Sequence, residues 1–418
     1  MIAKDDEVPD DHIETEYSPS SRRHFLMQSG ATALGLGLSR LMPSGLAAVR
    51  PLPIGPSGIG RVGPNGFQSD KLIVHSVNPQ DLETPIELLN SFITPNDLFY
   101  VRCHLYTPKV DLNDWSLKID GMVAKEMTLK LEDLKRFAET SQTVTLECSG
   151  NGRAFYEPAV PGAQWLKGAV GNAKWTGVKL ADVMKSAGIK AEGKYLTFDG
   201  ADKPMGKVPD FIRSLPLEKA MHPDTLLAYE MNGEPIPVPH GFPLRLIVPG
   251  WTGNNNVKWV THITVTDAPS DAFFMKTAYR FPTRTVAPGG SIDPSMTVPL
   301  MGLAVKSSIT GPSNGAQVKP GPVKVTGIAY AGEADITGVD ISTDLGRTWS
   351  PAALGREHAH YAWRLFEHTW NAKDPGFFVI MSRAKDSQGR VQPMVQNWNP
   401  SGYLWNVADR IKVTVNNG

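Results

Sequence analysis

Thr145-Leu-Glu-Cys148-Ser-Gly-Asn151-Gly-Arg153 is the stretch on which the reading turns. Its first half closes an apolar run, Val144–Glu147, rich in branched residues and consistent with a buried strand. Its second half is a turn made of Ser, Gly, Asn and Gly. A residue at such a strand exit is held by a rigid element yet faces open space. A thiolate at Cys148 is a soft metal ligand, and Arg153, five residues on, favours its ionised form. A buried structural cysteine fits the same local pattern equally well. A disulfide to Cys103, the other of the 2 cysteines, is a further alternative.

Outward from this turn, short strands and short helices alternate. Trp115–Asp120 alternates like a strand and meets Gly121. Leu129–Arg136 and Leu180–Ala187 have amphipathic helical spacing, the second stopped by Gly188. Leu244–Val248 is a second buried run. Residues 70–281 therefore predict an α+β domain. Residues 282–303 carry Pro282, Pro288, Pro294 and Pro299 and predict a linker. From 304 to 418 the pattern turns all-β, with Val323–Ala329, Val339–Ser342, Trp363–Phe366, Phe377–Met381 and Ile411–Val415 separated by turn signals. That spacing predicts a sandwich that is Ig-like in architecture, without the Cys pair of true immunoglobulin domains.

Composition narrows the function. In 418 residues, Lys+Arg 42 balances Asp+Glu 42, so no overall basic field exists to hold nucleic acid. Two cysteines exclude a disulfide scaffold or a zinc ribbon. Residues 1–48 read as an address. Ser21-Arg22-Arg23-His24-Phe25-Leu26 precedes an apolar stretch to about Leu46 and a small-residue site at Ala47-Ala48. That order predicts a twin-arginine export signal and a periplasmic location. Gly30, Gly35, Gly37, Ser39 and Arg40 within the stretch argue against stable membrane insertion. This route carries folded proteins, which suits a cofactor inserted before export. Residues 49–69 are a Pro/Gly linker. Within it Gly58-Ile-Gly60-Arg-Val-Gly63 matches a dinucleotide fingerprint, but no strand precedes it and Pro64 follows where a helix should start, so it is rejected.

Five blocks in order then make a resemblance specific. Glu147-Cys148-Ser-Gly-Asn151-Gly-Arg153 resembles the molybdenum-ligand loop of the sulfite oxidase family of molybdopterin enzymes. Phe99-Tyr100-Val-Arg102-Cys103-His104 resembles that family's aromatic-x-Arg-Asn-His block. The segment from Trp165 to Leu180 resembles the stretch after its cysteine. Pro239-His240-Gly-Phe-Pro243-Leu-Arg245 through Val257-Lys258-Trp259 resembles its pterin-binding stretch. Val391-Gln-Pro393 with Trp398-Asn399-Pro-Ser-Gly402-Tyr-Leu404 resembles the end of its dimerisation domain.

The resemblance implies a Mo-molybdopterin cofactor with Cys148 as the metal ligand. It implies pterin contacts at Tyr100, Arg102, His104, Asp202, His240, Arg245 and Lys258, with Asp202 on the looser match Phe198-Asp-Gly-Ala-Asp202. An anionic, hydrogen-bond-rich pterin needs such cations and polar groups. Arg102, Arg153 and Tyr279 match the family's substrate pocket, where an oxyanion of sulfur needs fixed donors. Trp165 matches a pocket tryptophan or is packing; Trp175 and Trp259 read as core. Three departures stand out. Asn255 occupies a position where the family often has arginine, Cys103 replaces an asparagine, and Ala359-His360-Tyr361-Ala362-Trp363 lacks a further arginine, for which His360 is a candidate substitute. His358 and His360 read as a solvated loop rather than a metal pair.

The expected activity is oxidation of a small inorganic sulfur oxyanion, sulfite, to sulfate. With no CxxCH motif in the chain, a separate c-type cytochrome is the expected electron acceptor, and the family's second domain implies a homodimer. The alternative is the molybdenum subunit of a sulfane dehydrogenase of the thiosulfate-oxidation system, which two absent arginines favour. A repair reductase and a cofactor-free binding module are lesser alternatives.

Overall fold

The computed structural model describes residues 70–417; the export signal and linker expected over 1–69 lie outside them. The strand predicted at Val144–Glu147 is the end of a longer one, Glu139–Glu147, which pairs antiparallel with Val170–Lys179 over nine positions. Leu226–Met231 pairs with the other side of Val170–Lys179 and also with Arg245–Ile247. The central strand is thus covered on both edges and reads as a nearly continuous buried run. A second sheet runs Met127–Leu129, Leu117–Gly121, Val260–Thr266, Tyr195–Gly200, Arg213–Pro216. The two sheets sandwich the core of this domain, to which helix Leu180–Ala187 adds Leu180, Val183, Met184 and Ala187. That helix has its predicted bounds, and Gly188 closes it at φ 71°, where a side chain is strained. The helix predicted at Leu129–Arg136 is one turn, Leu131–Leu134, because only Leu134 of that turn is buried and little packing rewards a longer one.

The second domain is a two-sheet sandwich. Lys306–Gly311, Gly321–Tyr330, Arg364–Ala372 and Ala353–Leu354 form one sheet; Ala316–Val318, Asp409–Val415, Gly376–Asp386, Ile336–Ser342 and Ser350–Pro351 form the other. Val325, Val339, Phe366, Ile380, Ile411 and Val413 fill the space between them.

The proline-rich stretch over 282–303 is tied down. Arg280–Pro282 pairs with Thr297–Pro299. Leu300 N–H donates to the Tyr279 carbonyl (2.8 Å) and Leu303 N–H to that of Gly250 (3.0 Å). Leu300 and Leu303 are buried, so apolar burial holds the connection against the first domain.

Charged residues also bridge the domains. Glu147, immediately before Cys148, accepts from Lys306 Nζ (2.7 Å), Tyr330 hydroxyl (2.7 Å) and Asn151 Nδ2 (3.0 Å). Both members of the Glu147–Lys306 pair are almost fully buried. The strand carrying the cysteine is therefore fixed to the second domain by a satisfied ionic network.

Candidate active site

Cys148 leaves its strand with its N–H bonded to the Ala169 carbonyl (2.9 Å), and its own carbonyl accepts from Asn151 N–H (2.9 Å). Gly152 turns the chain at φ 94°. Cys148 lines a cleft that is also lined by Tyr100, Arg102, His104, Asp202, His240, Arg245, Lys258 and Tyr279. Residues from five separate stretches thus converge on one space. Cys103 lines it too, and both cysteines are free. Cys103 is instead 3.0 Å from Lys258 Nζ, which accounts for the thiol without a disulfide.

Arg153 does not line the cleft. Its Nε donates to the Ser401 carbonyl (3.1 Å) and its Nη1 to that of Ala163 (2.9 Å), and the guanidinium lies over the Tyr403 ring. A Cβ on Gly150 would stand 2.5 Å from its Nη2, one on Gly162 2.8 Å from its Nη1, and one on Gly402 2.9 Å from its Cγ. Three glycines from two domains therefore leave a channel that only this side chain fills. From there Arg153 acts through its field. Burial pushes the Cys148 thiol up, and Arg102 and Arg153 oppose that shift. The ionising effect expected of Arg153 is present, but in this structure desolvation outweighs it.

Trp165 is fully buried, edge-on to the His75 ring with centres 4.9 Å apart, and lies outside the cleft lining. Trp175 is core. Trp259, expected as core, also forms cleft wall, with Lys258 Nζ 4.1 Å from its ring centre. His360 stands on an exposed loop, 3.2 Å from Asp335 Oδ1, and does not line the cleft. His358 shares that carboxylate at 3.4 Å. Among the described residues no cluster of His, Cys, Asp and Glu has the makings of a metal site, and Cys148 contributes one protein ligand at most.

The cleft's electrostatics ask for an anion. Arg245 is 6% exposed, and burial lowers it to about 10. Its Nη1 donates to the His240 carbonyl (2.8 Å), it stacks over Trp175, and its Nε has no partner among the described residues. Burial also lowers Lys258, which donates to the Pro239 carbonyl (2.9 Å). His104 is pushed well below its ordinary range by burial and by Arg102, Lys258, Arg213 and Arg153, so it is neutral. Tyr279 hydroxyl pairs with its Nε2 at 2.6 Å. Asp202 is raised to about 6 by burial, opposed by Lys258, so it contributes little compensating charge below that pH. A buried cation without a carboxylate costs several kcal/mol. Arg245 Nε and Asn254 Nδ2 are buried donors awaiting acceptors. A phosphate-bearing, hydrogen-bond-rich pterin fits this donor set. Tyr279 and Trp259 flank the cleft with φ 54° and 52°, a left-handed conformation that costs about 1–2 kcal/mol per residue.

Sequence reasoning missed three contributors. Ser149 hydroxyl donates to Asn254 Oδ1, both on the cleft wall. Phe211 stacks on His104, ring centres 4.6 Å apart. Arg213, buried at 1%, donates from Nη2 to Asn255 Oδ1 (2.9 Å). The available signal for Arg213 was its place at the start of a short strand, Arg213–Pro216, two residues before Leu215.

Comparison with known proteins agrees with this geometry. Residues 104–274 match the oxidoreductase molybdopterin binding domain, and residues 298–416 match the Mo-co oxidoreductase dimerisation domain. The sulfite oxidase of Gallus gallus is 36% identical over 349 residues, covering 80% of this chain and 76% of that protein. The Arabidopsis thaliana sulfite oxidase is 35% identical, covering 80% and 91%. The mitochondrial sulfite oxidase of Drosophila melanogaster is 39% identical, and this chain spans 62% of its length. Among solved structures, the sulfane dehydrogenase SoxCD from Paracoccus pantotrophus superimposes with a TM-score of 0.71 at 32% identity, covering 80% of this chain and 84% of that one. A buried cysteine at a strand exit, a cleft lined by Arg102, Arg245 and Lys258, and a molybdopterin-binding domain joined to a dimerisation domain give one answer: the chain belongs to the sulfite oxidase family of molybdopterin oxidoreductases.

Proposed function

We propose that this protein oxidises sulfite to sulfate in the periplasm as a homodimer and passes the electrons to a separate c-type cytochrome. The observation that carries the reading is the convergence of Arg102, Arg245 and Lys258 on the cleft that Cys148 lines, where the buried Arg245 keeps an open Nε and Arg102 is held by Asp81 at 2.9 Å. Sulfite and water give sulfate, two protons and two electrons. The molybdopterin, when bound, supplies the two-electron redox centre. Cys148 would hold its metal, and Tyr100, His240, Arg245 and Lys258 its pterin. Arg102 and Tyr279 would orient the anion, with Arg153 behind them. His104, kept neutral by its cationic neighbours, is able to accept the Tyr279 hydroxyl proton in a hydrogen bond and so fix the phenol. The twin arginines Arg22 and Arg23 support the export reading, and a separate c-type cytochrome is the expected acceptor.

A second reading is favoured by the likeness to a sulfane dehydrogenase. It keeps the same pocket and changes the substrate to sulfur carried on a protein cysteine. Steady-state reduction of cytochrome c by the molybdenum-loaded protein, with sulfite as the only donor, separates the two. Turnover with sulfite that Cys148→Ser abolishes supports the first. No turnover with sulfite, but turnover with a thiosulfate-bearing carrier protein, supports the second.

A further inference from the structure

Arg213 stands behind the cleft and has no part in the roles assigned above. It begins strand Arg213–Pro216 and is among the most deeply buried side chains of the protein. Its Nη2 donates to Asn255 Oδ1 at 2.9 Å, and its Nη1 donates to the Phe274 carbonyl. Its Nε is buried without a partner. The charged and titratable groups that act on it are Tyr279, Tyr403 and Arg280, none of them a carboxylate. Burial lowers it only to about 10, so at neutral pH it is a cation held in the interior with no carboxylate among the described residues to neutralise it.

Its two neighbours both belong to the cleft wall or abut it. The guanidinium carbon lies 5.7 Å from the centre of the Tyr279 ring, whose hydroxyl reaches His104. Asn255 sits between Asn254 and Asn256, which line the cleft. Its amide donates to Thr252 Oγ1 (3.1 Å) and the Leu300 carbonyl (3.1 Å). Asn255 is thus fixed on every side, and Arg213 is fixed by it.

We propose that Arg213 is a positioning residue for the substrate oxyanion, supplying a fixed positive charge from behind Tyr279 and Asn255. The proposal rests on the reading of the cleft as a sulfur-oxyanion site. As a general scale, at an effective dielectric near 20 a unit charge favours an anion placed roughly 8 Å away by about 2 kcal/mol, or about thirtyfold.

The test uses molybdenum-loaded protein and two readouts, calorimetric binding of sulfate and steady-state kinetics with sulfite. Arg213→Met is expected to weaken sulfate binding and raise KM by about ten- to thirtyfold, with kcat within about threefold of wild type and molybdenum content unchanged. Arg213→Lys keeps the charge and should stay within about threefold for sulfate. Arg213→Met with Asn255→Arg returns a guanidinium to the same ground, since Asn255 already touches it, and should recover most of the loss. Equal sulfate affinity in Arg213→Met and wild type overturns the proposal. So does a loss in Arg213→Lys as deep as in Arg213→Met with no recovery in the double variant, because that pattern belongs to a purely structural contact. If Arg213→Met does not fold, Arg213→Lys and the double variant decide by the same criteria. Absence of sulfate binding in the wild type sinks the oxyanion reading of the cleft itself and the proposal with it, whereas wild-type binding matched by the variants sinks only the role of Arg213.

Discussion

Two buried charged regions lie on either side of Cys148, and they are built on opposite principles. On the strand side, Glu147 is matched by Lys306, Tyr330 and Asn151 within the chain. On the cleft side, Arg245 and Arg213 have no carboxylate partner and each keeps an unbonded Nε. Both regions desolvate charge; the first compensates it internally, whereas in the second Arg102 pairs with Asp81 but Arg245 and Arg213 find no carboxylate among the described residues. The first therefore supports the fold, and the second favours a bound anion.

This contrast is open to breakage at either end. Lys306→Met leaves Glu147 buried and unpaired, and should destabilise the protein by about 3–5 kcal/mol, read as a lowered midpoint of chemical denaturation with or without cofactor. A loss below about 1 kcal/mol would mean that the domain junction is wet and the network weak. Arg245→Met is the opposite case. It removes an uncompensated charge and keeps packing on Trp175, so cofactor-free protein should unfold within about 1 kcal/mol of wild type or be more stable, while molybdenum content on purification falls at least about tenfold. A large loss of apo stability would show that Arg245 is structural. Arg153→Gln sharpens the boundary between the regions. With its carbonyl contacts partly retained and its charge gone, KM for sulfite should rise about tenfold at unchanged molybdenum content. Loss of molybdenum instead would move Arg153 to the pterin side. Cys103→Ser is the smallest change. Its hydroxyl still accepts from Lys258, so molybdenum content should fall by less than about twofold; a loss equal to that of Cys148→Ser would give the two cysteines one shared role.

Much of this was legible in the sequence because it is local. Helix Leu180–Ala187 announces itself by spacing and by Gly188. The strand-to-turn exit at Cys148 is readable from branched residues followed by Ser, Gly, Asn and Gly, and the cleft residues lie in short blocks whose order carried the resemblance. What was hidden is long-range. Glu147 and Lys306 are 159 residues apart, and Arg213 and Asn255 are 42 apart; no periodicity links such positions. The expectation for His360 failed for the same reason, since its loop pairs with Asp335 away from the cleft. The proline-rich stretch 282–303 reads as a linker by composition, yet Leu300 and Leu303 bury themselves, and two leucines among prolines are too few to show a pattern.

The glycine-lined channel around Arg153 bears on the order in which the molecule becomes competent. Gly150 and Gly162 are neighbours of Arg153 in the chain, but Ser401, whose carbonyl accepts the hydrogen bond from its Nε, lies 248 residues further on, with Gly402 beside it. During synthesis the arginine is made long before its clasp exists. The Arg153 channel therefore closes only when the second domain, with Ser401 and Gly402, is in place.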